Sequence, residues 1–501
     1  YGAGWTFSNT DRLIDIAASG SYPAGKLRVS GRGLGWTFYT QSGSSFISPT
    51  GDYGTLATSG SGWEYTSVDG KKLTFNSLGL MTKWTATNGV ESFVYSYADL
   101  DGDSIADELQ TMTGVDGSVA TFTYSSGKVA SIEAPGSRRV TLTHTGVNLT
   151  QFNDFANNAR TFAYDATSHL TGTTFASVTR TWSYSNSMVQ TVKLGSDPVS
   201  TVVAVRARGL SSPDRVGAVS EVVDPLGYGS FTRYNSLGKP TEIKDAGLNV
   251  WVQGYNSAGQ VTSMTNPLGQ SSSGNYDLTG FLTDITRPDS SQILITKANS
   301  YNLVSATEDS LGRDVSYTYD ANGNPLTMVD GNGKTTSFVW TNGLLTSSTT
   351  PDGLTTEYTY DSNRRLKTIK RPGQNNVQTL TYDATTGEHT GTTDELGREL
   401  NSAVFDVMGR TIANVDLNGN RTSTLYDAEG KVTGTIDPTG VRTSYLYDAS
   451  GRVEVVIRGV GTVFENRATT VYDAKGRMTV QIDFTGLRTT YNYDLLDRVS
   501  S

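Results

Sequence analysis

Residues 405–456 read FDVMGRTIANVDLNGNRTSTLYDAEGKVTGTIDPTGVRTSYLYDASGRVEVV. In this stretch an aromatic residue followed by Asp recurs at Phe405, Tyr426 and Tyr447, a step of 21 residues each time. A Gly stands four residues after each of these aromatic residues. A fixed period of this length is the signature of a repeat architecture, so the stretch predicts a chain built from tandem units.

Each unit contains two turn signals and two short runs rich in Thr, Val, Tyr and Ile. In IDPTGVRTSYLYD, Asp437 opens a turn and Gly440 closes it, since Gly adopts a positive φ without the steric cost that other residues carry. The next run alternates, with Val441, Thr443 and Tyr445 facing one way, which is the period of a strand. Each unit is therefore predicted to be a β-hairpin. A lone hairpin is barely stable in water, so we expect an all-β fold in which the hairpins pair into one continuous antiparallel sheet.

The composition fits a turn-dense β protein and excludes several partners. The 501 residues include 54 Gly and 26 Tyr, 18% of them are charged, and the net charge is −9. The densest basic cluster, at 364–371, falls on both faces of one predicted strand and is interpreted as solvated charge, so nucleic acid and anionic membranes are not expected as partners. There is no Cys, which excludes disulfides and thiolate metal sites. No run of about 18 apolar residues is present, so membrane insertion is not expected.

The regularity of the period divides the chain. Residues 1–72 show no clear step and are predicted to be an atypical β start or cap of the sheet, as terminal units of an array are. Residues 73–501 carry the repeats, which are degenerate over 73–230 and regular over 231–501. The chain begins without Met and stops inside a unit, so we expect it to be a segment of a larger protein.

One hairpin carries an acidic insertion, YADLDGDSIADELQ, which predicts a calcium-type loop at 99–110. The side chains of Asp99, Asp101, Asp103 and Asp107 fall at positions 1, 3, 5 and 9 of a calcium-binding loop. The backbone carbonyl of Ile105 falls at position 7. The loop is similar to those of thrombospondin type-3 repeats, except that Ser104 replaces the turn Gly and Gln110 replaces the bidentate acid. Clustered carboxylates repel one another unless a cation compensates, so we predict calcium with a role in local ordering. A solvated acidic loop is the alternative.

Catalytic chemistry lacks a candidate in this sequence. The recurring Tyr-Asp pairs are interpreted as turn caps and packed rings rather than as the acid pair of a glycosidase. The three His residues are scattered, and His144 occupies the aromatic position of a unit. There is no G-x-S-x-G, P-loop or GxGxxG motif. We therefore predict that the protein is not an enzyme.

The units resemble the YD-repeat, or RHS (rearrangement hotspot), family, whose motif is Y-D-x-x-G-R-[VL]-T followed by D-x-x-G. The similarity is close in YDAEGKVTGTIDPTG from Tyr426 and in YDAKGRMTVQIDFTG from Tyr472. The resemblance implies a ribbon of β-sheet that coils into a hollow shell, or β-cocoon. It also implies a secreted or cell-surface protein, because bacterial Rhs effectors and Tc toxin C components enclose a cytotoxic C-terminal domain and teneurins use a similar shell for adhesion. No segment of this chain resembles the family's self-cleavage segment or a toxin domain.

A shell also has a physical basis, since a twisted sheet of about 20 hairpins cannot stay flat and open without exposing long edges. The leading hypothesis is a shell segment that encapsulates a C-terminal toxin or effector domain lying outside this sequence, with other shell segments as further partners. The alternative is an extracellular structural, filament or adhesion protein that self-associates or binds a cell-surface partner. A carbohydrate-binding repeat of the choline-binding type is a third class, but no Trp recurs at the period to build its ligand cages.

Overall fold

The structure is a computed structural model. It describes residues 10–19, 23–30, 36–175, 178–185, 188–194, 200–206, 218–223, 228–298, 301–384, 386–428, 430–448, 451–473, 477–493 and 498–500. These residues form 45 β-strands and no helix, so the predicted all-β class is confirmed. The described part of the chain accordingly holds no helix with the length and apolar character that crossing a membrane requires.

The first four strands form a small antiparallel sheet in the order β1-β2-β3-β4. Their bounds are β1 Arg12–Ile16, β2 Gly25–Val29, β3 Trp36–Ser42 and β4 Ser45–Ile47.

All later strands belong to one long antiparallel sheet, in which each strand pairs with the next along the chain. The strands of its first part are β5 Thr55–Ser59, β6 Gly62–Thr66, β7 Lys72–Phe75, β8 Met81–Thr85, β9 Ser92–Ala98, β10 Glu108–Thr113, β11 Val119–Ser125, β12 Lys128–Ala134, β13 Arg138–Thr145, β14 Asn148–Asn153, β15 Ala159–Tyr164, β16 Leu170–Phe175, β17 Val178–Ser185, β18 Met188–Leu194, β19 Ser200–Arg206, β20 Ala218–Val223, β21 Gly229–Tyr234 and β22 Pro240–Lys244.

The strands of its second part are β23 Val250–Tyr255, β24 Val261–Thr265, β25 Ser271–Tyr276, β26 Leu282–Thr286, β27 Gln292–Lys297, β28 Val304–Asp309, β29 Asp314–Tyr319, β30 Pro325–Val329, β31 Thr335–Thr341, β32 Leu344–Thr349, β33 Thr355–Tyr360, β34 Leu366–Lys370, β35 Gln378–Tyr382, β36 His389–Thr393, β37 Glu399–Phe405, β38 Thr411–Asp416, β39 Arg421–Tyr426, β40 Val432–Ile436, β41 Arg442–Tyr447, β42 Val453–Arg458, β43 Asn466–Tyr472, β44 Met478–Ile482 and β45 Arg488–Thr490. Within the described ranges β5 has a ladder only with β6, and β45 only with β44, so the sheet is not closed edge to edge.

Two kinds of turn alternate along the sheet. The YD turn follows the aromatic residue of a unit, as in 406–410, and the second turn follows the next strand, as in 437–441. Both have the same backbone, in which the N–H of the first residue donates to the C=O of the fifth and the Gly N–H donates to the C=O of the first. Gly409 and Gly440 have φ values of 75° and 85°, a region that costs other residues energy. The sequence therefore places Gly where the backbone needs it.

The sheet coils until distant parts of the chain touch. The Tyr53 hydroxyl donates a 2.9 Å hydrogen bond to Oε1 of Gln260, across 207 residues of sequence. Further along, Arg138 Nη1 lies 2.8 Å from Oε1 of Glu388, across 250 residues. These contacts join the same two edges of the sheet, so the ribbon has come round and met itself.

The contact between successive coils, which we call the seam, joins the same kinds of turn wherever the described residues show it. Second turns between residues 49 and 138 lie against YD turns between residues 256 and 410. The fit is close, since a Cβ added to Gly280 would lie 2.2 Å from the Tyr53 ring, and one added to Gly343 would lie 2.9 Å from the Asn88 side chain. The glycines of the YD turns thus let the two edges approach.

The densest core lies near the start of the chain. Tyr39, Phe75 and Val129 are almost fully buried there, whereas most later side chains of the sheet are only half-buried. The small sheet packs against the long one, with Lys26 Nζ 3.5 Å from the Trp63 ring centroid. The long sheet is therefore a thin wall over most of its length.

Candidate functional site

The YD turn, the most repeated feature of the chain, is held by its own aspartate. In the turn at 406–410, Oδ1 of Asp406 accepts the backbone N–H groups of Met408 at 2.9 Å and Arg410 at 3.0 Å. The other carboxylate oxygen accepts Nε of Arg410 at 2.7 Å. Three donors of one turn thus hold the carboxylate, which gives Asp406 a structural role in the reversal.

The arginine of the turn links one unit to the next. The guanidinium of Arg410 lies 4.7 Å from the ring centroid of Tyr426, and its Nη1 donates to the Asp427 carbonyl at 3.1 Å. The same stacking recurs in other units: Arg365 on Tyr382, Arg452 on Tyr472 and Arg477 on Tyr493. Each Arg therefore pairs with an Asp of its own unit and a Tyr of the following one.

The tyrosine hydroxyl completes the link. Tyr426 Oη donates to the Thr411 carbonyl at 3.0 Å. Thr411 lies beyond the end of the β38–β39 ladder, which stops at the Ala413–Ser423 pair. The hydroxyl therefore satisfies a carbonyl that the ladder leaves unpaired.

The same hydrogen bond spans 15 residues in unit after unit. It joins Tyr255 to Pro240, Tyr276 to Val261, Tyr319 to Val304, Tyr360 to Leu345 and Tyr447 to Val432. In the unit where Trp replaces Tyr, Nε1 of Trp340 donates to the Pro325 carbonyl at 2.7 Å. The conserved geometry makes the aromatic residue a connector between neighbouring hairpins.

Hydrogen bonds hold the turn carboxylates in their ionised form. The Arg313 side chain and backbone lower the pKa of Asp309 to about 2. The Thr439 hydroxyl and backbone N–H groups of its turn lower the pKa of Asp437. The folded state thus favours the ionised carboxylate in both cases.

The acidic loop brings together part of the predicted ligand set. Carboxylate oxygens of Asp99, Asp101 and Glu108 lie within 4.8 Å of one another. Asp99 also accepts the backbone N–H groups of Gly102 at 2.7 Å and Ser104 at 3.0 Å. Partial burial and the neighbouring carboxylates of the loop raise the pKa of Glu108. Three acids are therefore within reach of one cation.

The other predicted ligands of the loop lie outside this trio. Oδ1 of Asp103 accepts the N–H of Ile105 at 2.8 Å, and the Ile105 carbonyl accepts the N–H of Asp107 at 3.1 Å. Ser104, which stands where a calcium loop has Gly, has a φ of 71°. Calcium at this loop stays a prediction, and the geometry adds Glu108 to the ligands that deserve testing.

The seam residues gave no signal in the sequence. Tyr53 and Arg138 carry no motif, Glu388 stands where the YD motif has Arg, and the partners of all three are more than 200 residues away. The Arg of the motif could be recognised in the sequence. Its stacking on the Tyr of the following unit could not be predicted, because that contact depends on the strand register. Glu108 follows Asp107 directly, and only the loop's backbone shows that it faces Asp99 and Asp101.

Removing one connecting hydroxyl should weaken the junction between two hairpins. In Tyr426→Phe the Thr411 carbonyl loses its donor, so the free energy of unfolding should fall by about 1 kcal/mol in urea denaturation. Tyr445→Phe is the control, because the Tyr445 hydroxyl makes no hydrogen bond within the described residues and should cost less than about 0.5 kcal/mol. Equal losses in the two variants would contradict the connector role.

Acid should destabilise the protein. The turn aspartates have lower pKa values when folded than the ordinary value of about 3.9, so their stabilisation is complete above that value and is lost as the pH falls toward about 2. The urea midpoint should be level from pH 7 to about 5 and then decrease. Asp437→Asn should lose less stability on acidification than the wild type. A urea midpoint that increases as the pH falls would contradict the predicted loss of stability in acid.

Calcium titration followed by calorimetry should give heat for one site at the acidic loop. Asp101→Asn should weaken binding at least about tenfold, since it removes a carboxylate shared by the sequence pattern and the trio. If the trio of Asp99, Asp101 and Glu108 binds the ion, Glu108→Gln should weaken binding; if the sequence pattern is right, Asp107→Asn should do so. Asp330→Asn, in a turn elsewhere, is the matched control and should leave binding unchanged. No heat, together with an unchanged melting temperature in calcium, would exclude the site.

Comparison with known proteins identifies the repeats. The RHS Repeat family model matches four segments, 255–292, 299–335, 340–376 and 426–463. Three of them begin at the aromatic residue of a unit, at Tyr255, Trp340 and Tyr426. No significant match to a curated protein was found.

Similar solved structures include the TcdB2–TccC3 complex, with 11% identity and a TM-score of 0.42 over 98% of this chain and 35% of that chain. TcdB2–TccC3 without its hypervariable C-terminal region has 12% identity and a TM-score of 0.39, over 98% of this chain and 35% of that chain. The Tc holotoxin pore of Photorhabdus luminescens has 11% identity and a TM-score of 0.32, over 98% of this chain and 34% of that chain. This chain spans about a third of the length of each. The family match, rather than these weak global similarities, identifies repeats: four segments of the chain match the RHS Repeat family model.

Proposed function

We propose that the coiled sheet is a wall that encloses a separate polypeptide segment, an effector domain of a larger protein that works outside the cell. In this proposal the chain itself is a scaffold and catalyses no reaction. The observation that carries it is the seam, because a ribbon that meets itself on successive coils separates an inside from an outside.

The seam fixes the length of one circuit. Tyr53 precedes β5 and Gln260 follows β23, so this circuit takes 19 strands. Arg138 begins β13 and Glu388 follows β35, so the circuit there takes 23 strands. The coil therefore widens slightly along the chain.

The circuit length sets the scale of the interior. With neighbouring strands ~4.8 Å apart, about 20 strands give a circumference of ~100 Å and a diameter of ~30 Å. Side chains occupy about half of a 10 Å sheet spacing at each wall, which leaves a lumen of ~20 Å. A folded domain of about 100 residues has a radius of gyration near 13 Å and is wider than this. An enclosed segment of that length would therefore be held extended or only partly folded.

The paired state of the repeated polar groups also supports a scaffold. The carboxylate of Asp406 is used by its turn and by Arg410, and the same Arg stacks on the next unit. These groups recur at a fixed period along the wall instead of converging on one cleft. Such an array stabilises the wall. In this proposal the biological activity belongs to the enclosed segment.

Electron cryo-microscopy of the complete natural protein tests the proposal. We expect density inside the wall that the repeats do not account for, and a non-repeat segment that resists protease until urea opens the shell. The matched control is the same segment produced alone, which protease should degrade quickly. An empty lumen, with the non-repeat segment cleaved as fast as the control, would contradict encapsulation. An empty lumen with partners bound to the outer surface would favour the adhesion scaffold instead.

A further inference from the structure

The second turns of the later coil form an exposed apolar row, which we call the leucine rim. Its members are leucines that are 62–84% exposed: Leu268, Leu311, Leu396, Leu417 and Leu487. Successive second turns are two strands, or about 10 Å, apart along the edge, so these side chains lie along one border of the sheet, separated in places by polar turns such as 287–291 and 330–334. A row of large apolar side chains at one border is typical of an interaction surface.

The seam shows what covers this kind of border. In the first coil the second turns also carry apolar side chains, but YD turns of the later coil lie against them. A Cβ added to Gly343 would lie 3.5 Å from Val90. The partner that fits a second-turn border is thus a row of YD turns.

The chain also carries an open border of that complementary kind. The YD turns of the first coil at 145–148, 165–169 and 235–239 form what we call the YD rim. A Cβ added to Gly146 or Gly238 would meet no described atom within 4 Å, whereas Gly280 in the seam meets Tyr53. Val147 and Leu237 on this rim are 57% and 53% exposed. Each molecule therefore presents both halves of a seam.

We infer that the leucine rim of one copy of this chain binds the YD rim of a second copy, repeating between molecules the contact that the seam makes within one. The two surfaces differ, so the association is head-to-tail and each dimer keeps one free rim of each kind. The association goes beyond encapsulation, because it joins shells end to end whether or not they hold a cargo.

Sedimentation velocity over a range of concentrations tests the association with the whole chain. The wild type should form dimers and longer species as its concentration rises. The triple variant Leu268→Glu, Leu311→Glu and Leu396→Glu should bind at least about tenfold more weakly. Leu278→Glu is the matched control, since Leu278 is 99% exposed but lies in a YD turn of the later coil, off both rims. Circular dichroism should show that all variants remain folded, because every changed side chain is exposed.

A mixing experiment tests the direction of the contact. The leucine-rim triple variant keeps its YD rim, and the double variant Val147→Glu and Leu237→Glu keeps its leucine rim. Each should be monomeric alone, and the mixture should form dimers that grow no further. A wild type that stays monomeric at all concentrations would overturn the inference. So would association that survives in both rim variants, or a mixture of the two that stays monomeric.

Discussion

At most of the regular strand reversals, the side chain of one aspartate or asparagine accepts backbone N–H groups of its own turn. The contact fixes a five-residue reversal with Gly at positive φ, as at Asp406 and Asp437. Two YD turns, 298–303 and 383–388, contain one residue more, and the ladder after each still starts with the pair that directly flanks the turn, as at Tyr426 and Val432. The turn carboxylate therefore fixes the shape of the reversal beside which the Arg stacking and the Tyr hydroxyl bonds form.

A ribbon with such turns obtains little of its stability from a dense core. Beyond about residue 140 most side chains are half-buried, and neighbouring hairpins are joined by ladders, Arg–Tyr stacks and Tyr–carbonyl bonds. Stability of this kind is shared between neighbouring units, as in other repeat proteins. The seam adds contacts that are remote in sequence, such as Arg138 with Glu388, and these turn a ribbon into a wall.

The local structure was predictable because the signals are local. The 21-residue step, the Gly positions and the alternation of apolar residues predict hairpins, and the continuous antiparallel sheet is observed. The coiling of the ribbon was predictable from the twist of a β-sheet. The turns that meet after one circuit were not, because the twist does not say which turns come into contact. Tyr53 and Gln260 show why: Gln260 stands at the Arg position of a YD motif and Tyr53 in no motif, and their contact depends on the summed twist of 19 strands. In the acidic loop, the sequence gives the density of carboxylates, and the backbone decides that Glu108 faces Asp99 and Asp101.

The central claim, that the ribbon coils until second turns meet YD turns, is tested most directly by cross-linking across the seam. The chain has no Cys, so a pair introduced as Arg138→Cys and Glu388→Cys reacts without competing thiols. A short bis-maleimide should join this pair rapidly within one chain, and should not join Arg138→Cys to a cysteine at Glu357→Cys in the middle of β33. Equal and slow cross-linking of the two pairs would show that the coils do not meet as described.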